Sequence, residues 1–96
     1  MLLDKPIAKN DIVTVKLTSG EEILGCYVDD NDKELILQKI ATVSATPDGK
    51  MGLIPWMLTS EATNIKLNKN TVVTFAATET EIAKGYTHTT SSIQLV

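Results

Sequence analysis

The chain has 96 residues, 43% of them hydrophobic, and a formal net charge of −3. That length suits one small domain with a thin core, of a size that often gains burial by oligomerising, and the hydrophobic share argues against a disordered chain. All nine basic residues are lysines, so the arginine fork of tight, sequence-reading DNA binders is missing.

Thirteen threonines tilt the chain toward strands. The first strand is expected at Asp11–Thr18, with Val13, Val15 and Leu17 on one face and Thr14 and Lys16 on the other. Ser19-Gly20 signals a turn, and Glu22–Val28 follows as a second strand with Gly25 in its middle, where a glycine marks a bulge or sharp bend. Cys26, the one cysteine, leaves no partner for an internal disulfide and no cysteine-cluster zinc site. It fits a reducing, cytoplasmic setting. The run Asp29-Asp30-Asn31-Asp32 is too polar and turn-prone for strand. Oxygens at Asp30, Asp32 and Glu34 hint at a calcium loop, but the glycine and late glutamate of such loops are missing. No cofactor is expected.

A third strand is expected at Glu34–Ala45, with Leu35 and Leu37 on one face and Ile36 and Ile40 on the other. Thr46-Pro47-Asp48-Gly49-Lys50 is the strongest hairpin signal, since Asp-Gly supplies positive φ angles. Leu53–Leu58 holds Pro55 and so belongs at an edge or bend, and Ile65–Leu67 resumes the strand. Asn68-Lys69-Asn70 turns into a last strand, Thr71–Ala77. Thr78 with Glu81 resembles a capping box for a short helix ending near Gly85, followed by a polar tail with Ile93 and Leu95. The outline is mainly β, a single domain over residues 1–96. It is a small five-stranded, strongly bent antiparallel barrel, residues 11–77, with a short C-terminal helix and tail over 78–96. Oligonucleotide-binding, SH3-like and Sm-like folds all fit it. The N-terminus is too short and polar for a signal peptide, and no apolar run reaches membrane-spanning length.

Val13–Leu37 resembles the first Sm motif, through Val13, Val15 and Leu17, the spaced Gly20 and Gly25, the acidic turn, and Leu35-Ile36-Leu37. Ile65 through Val73 echoes the second motif. The stretch Gly52-Leu53-Ile54-Pro55-Trp56-Met57-Leu58 and the tail from Tyr86 look like small Sm-like proteins of tailed marine bacteriophages, which would work in a host cytoplasm. The resemblance implies a ring of roughly five to seven copies that binds single-stranded RNA or DNA, in RNA processing or as a chaperone. In such a ring the loops before the third and fifth strands line the pore, here Asn31-Asp32-Lys33 and Asn68-Lys69-Asn70. The family's aspartate and asparagine fall at Asn31 and Leu35, and its Arg-Gly at Asn68 and Lys69, so the uracil pocket is not reproduced.

Asn68 and Asn70 can hydrogen-bond base edges and Lys69 can neutralise phosphate, or the three residues form a simple hairpin turn. Pairing of one copy's fourth strand with the next copy's fifth removes two free edges. That places the subunit interface at Leu53, Ile54 and Trp56, at Ile65 and Leu67, and at Val72, Val73 and Phe75. Trp56 either stacks on a base or packs in the barrel or against a neighbour. Tyr27 and Tyr86 read as packing residues, and His88 as a mobile surface histidine. No arrangement resembles a catalytic centre, so the chain is not expected to be an enzyme. The alternatives to nucleic-acid binding are a protein-binding assembly ring and a monomeric adaptor.

Overall fold

Alternation in the first strand, β1 (Ile12–Leu17), buries Val13, Val15 and Leu17 on one side of the sheet. The structure is a computed structural model that describes residues 6–57 and 59–93. It continues through β2 (Glu22–Asp30), β3 (Glu34–Ala45), β4 (Met51–Pro55), β5 (Ile65–Asn68), β6 (Val72–Ala77) and one helix, α1 (Thr80–Ile93). The strands form one antiparallel sheet in the order β4-β3-β2-β1-β6, with β5 also on β3. β5 pairs with the first part of β3, Glu34–Leu37, and β4 with its last part, Ala41–Ala45. The expected fourth strand is therefore two short strands, separated by residues 56–64. Trp56 still donates its backbone N–H to Ile40, 2.9 Å away, before the chain departs. Leu58 lies outside the described residues.

The sheet curls because an extra residue enters at three places, two in the β2–β3 pairing and one in the β1–β6 pairing. Between Leu24↔Ala41 and Cys26↔Gln38, Lys39 and Ile40 oppose Gly25 alone. Gly25 thus sits at a bulge as expected, but the surplus residue belongs to β3. Lys39 takes a left-handed φ of 54°, which shifts the alternation by one. That corrects the expected faces of β3: Ile40 joins Leu35 and Leu37 inside the main core, and Ala41 faces out. Val28 is the surplus residue between Tyr27↔Leu37 and Asp29↔Ile36, and Val73 between Lys16↔Thr74 and Leu17↔Val72. Asp29 and Asp30, read from sequence as loop, extend β2 through those last pairs. The bulged Val73 is thrown outward and is 63% exposed.

Turn chemistry holds at the two glycines expected to need it, Gly20 (φ 92°) and Gly49 (φ 82°). The C-terminal helix departs from expectation. Its cap is Glu79, whose carboxylate accepts from the N–H groups of Glu81 and Ile82, each at 3.1 Å. Thr78 instead shares a hydrogen bond with Thr14, hydroxyl to hydroxyl at 2.9 Å. The helix also runs through Gly85 to Ile93, because Gly85 keeps a helical conformation and Tyr86 beside it is pinned at 2% exposure. Tyr86 packs with Leu24 and Ala41 in a second cluster on the outer face of the sheet, joined by Ile12, Val43, Leu53 and Ile82. Leu95 lies outside the described residues. Among those residues, no helix is long and apolar enough to cross a membrane.

Candidate nucleic-acid interface

The polar turn between β2 and β3 is closed by its own asparagine. Asn31 Oδ1 accepts from the N–H groups of Lys33 (2.8 Å) and Glu34 (2.9 Å), and its own N–H reaches Glu34 C=O at 2.9 Å. Between β5 and β6 the chain makes a short 3-10 turn, Lys69–Thr71, capped by Asn68, whose Oδ1 accepts from Asn70 N–H at 2.9 Å. This turn is not a hairpin: β5 and β6 pair with β3 and β1 respectively, at the two ends of the sheet order. Asn68 has φ −69°, so the left-handed tolerance of asparagine plays no part. The fold needs a corner there, to carry the chain from one edge to the other.

Those two turns, expected from sequence to act together, lie side by side. Lys69 N–H donates to Lys33 C=O at 2.8 Å, and Asn68 pairs with Glu34 across β5 and β3. Asn31, Asp32, Lys33, Asn68 and Asn70 are exposed, and Lys69 is half-buried. The side-chain oxygens of Asn31 and Asn68 hold their own turns, so their amide NH2 groups are what they can offer a ligand.

Two residues that sequence reading did not assign to the site complete it. Asp30 Oδ2 pairs with Lys69 Nζ at 2.7 Å, and its other oxygen accepts from the Tyr27 hydroxyl. Tyr27 stacks on Phe75, with centroids 6.5 Å apart and rings 20° from parallel. The hydrogen bonds from Lys69 and Tyr27 lower the Asp30 pKa below the ordinary carboxylate value. The bond to Asp30, with burial and the charges of Asp30 and Asp29, pushes Tyr27 up to about 12. Lys33 takes part in no ion pair among the described residues. No group of three or more His, Cys, Asp or Glu side chains that could hold a metal ion occurs among the described residues.

Among the described residues, the outer edges of β6 and of β4 and β5 have no partner strand. Ile54 and Val73 are exposed there, as are Met57, within the stretch Leu53–Leu58 expected at the interface, and Met51, which lies outside it. Leu53 packs on the outer cluster, whereas Trp56, Ile65, Val72 and Phe75 lean on the main core. Leu67 is buried inside that core, so at this edge only its backbone faces outward. Lys69, Val72, Val73, Thr74 and Phe75 line a shallow depression along β6.

A family model described as the Sm-like domain matches residues 14–87, a span that takes in both turns, both free edges and the first half of α1. No curated protein matches the chain.

Proposed function

The chain belongs to the Sm-like family, and from that premise we propose that it forms a homo-oligomeric ring binding single-stranded nucleic acid, RNA foremost, in RNA processing or as a chaperone. Turns 31–33 and 68–70 line the pore. The observation that carries this reading is the meeting of the two turns through Lys69 N–H and Lys33 C=O. It sets lysine ammonium and asparagine amide donors on one small surface, the mixture that phosphates and base edges call for. Repetition around roughly five to seven copies turns a weak contact into a multivalent, salt-dependent one.

The ring closes by pairing the outer edge of β6 with the outer edge of β4 and β5 in the next copy. That contact is heterologous and satisfies two unpaired backbone rows at once. Fluorescence titration with short U-rich and A-rich RNA at two salt concentrations tests the binding. Micromolar affinity that weakens with salt is expected, and no binding at low salt would sink the reading. The ion pair between Asp30 and Lys69 favours a second reading, a protein-binding assembly ring, because it offsets the one lysine of the second turn. Protein purified free of nucleic acid, with a low absorbance ratio at 260 over 280 nm, supports that second reading.

A further inference from the structure

We propose that Asp30 is an intramolecular competitor for the phosphate that Lys69 would otherwise hold, and so sets the affinity of the pore for nucleic acid. This rests on the nucleic-acid reading above. The carboxylate stands 2.7 Å from the Lys69 ammonium, where a phosphate oxygen would stand. It is fixed there, because Asp30 is the last residue of β2 and pairs with Leu35. Its second oxygen is held by the Tyr27 hydroxyl, on a ring that stacks on Phe75 and leans on the main core.

An incoming phosphate therefore exchanges one charge-assisted contact of Lys69 for another, and also meets the repulsion of a carboxylate held beside it by the Tyr27 hydroxyl. Lys33, on the adjacent turn, has no such competitor among the described residues. Lys69 thus contributes only the difference between two similar contacts.

The test compares D30N, K69Q and D30N/K69Q with the parent protein, titrating U-rich and A-rich RNA over a range of salt. Asparagine keeps an acceptor for the Tyr27 hydroxyl and removes the charge. D30N is expected to bind at least about threefold tighter. Its salt dependence should steepen by about one for each subunit engaged. Both effects should be clearly smaller in the K69Q background, where only the carboxylate's own repulsion of phosphate is relieved. Where the parent binds, a D30N variant that binds no tighter, or that gains equally without Lys69, overturns this proposal alone. If neither parent nor D30N binds, this proposal and the nucleic-acid reading fall together. Should D30N lose its native mass, Y27F decides. That variant keeps the ring stack and releases the carboxylate, so a smaller, Lys69-dependent gain is expected, and no gain overturns the proposal.

Discussion

Tyr86 and Lys39 show how a fold uses residues far apart in sequence. Lys39 sits at φ 54°, a conformation that costs a non-glycine residue roughly 1–2 kcal/mol. The Tyr86 hydroxyl hydrogen-bonds the carbonyls of Lys39 and Gln38, so α1 clamps the point where β3 bends. Replacing Tyr86 with phenylalanine keeps the ring and removes the donor. The expected cost is about 1–3 kcal/mol, read as a lower urea midpoint at unchanged slope. The same variant leaves Tyr27 as the one tyrosine, since the chain has two. Its phenolate absorbance should then titrate near pH 12, because the fold favours the protonated phenol. Tyr27 therefore stabilises the fold fully below its ordinary value of 10.0, and this is lost as pH climbs through about 12. Adding D30N should draw the midpoint back toward the ordinary value. Asp30 has the opposite sign: its depressed pKa contributes above the ordinary 3.8, and the contribution is lost as pH falls through the folded value.

At the scale of the element, bulges matter more than propensities. Gly25 was legible in the sequence as a bend, but the reason for glycine is in the packing. A Cβ at that position would stand 3.0 Å from Leu37 Cδ1 and 3.1 Å from its Cβ. Gly25→Ala is expected to cost about 1–3 kcal/mol by overpacking, seen as a lower thermal midpoint with unchanged far-ultraviolet spectrum. The Asp-Gly turn and the interruption at Pro55 were legible too, since each follows from backbone chemistry within a few residues. The shift of alternation at Lys39 was not, because no local signal marks a lysine for the left-handed region. The end of α1 was misread for a related reason. Gly85 is a plausible local stop, but the burial of Tyr86 against Leu24 and Ala41 outweighs it.

For the whole molecule, the proposed ring turns on the two free edges. Val73 tests this well, because it is bulged out of β6 and contributes little to the chain's own core. Val73→Asp is expected to leave the fold intact by circular dichroism and to reduce the native mass to that of one 10.4 kDa chain. A ring that survives the substitution would show that the β6 edge is not the contact. The polar turns that make up the candidate site were legible as loops, and as partners of each other through the motif likeness. Asp30 and Tyr27 were not, because the ion pair spans 39 positions and the run around Asp30 reads as loop. By itself the sequence determined a small, strongly bent antiparallel barrel, its core positions on β1, and its glycine turns, all set by alternation and local backbone preference. Only the tertiary structure decided which charge faces which. A side chain's partner depends on where two distant strands meet, and that is settled by packing across the sheet.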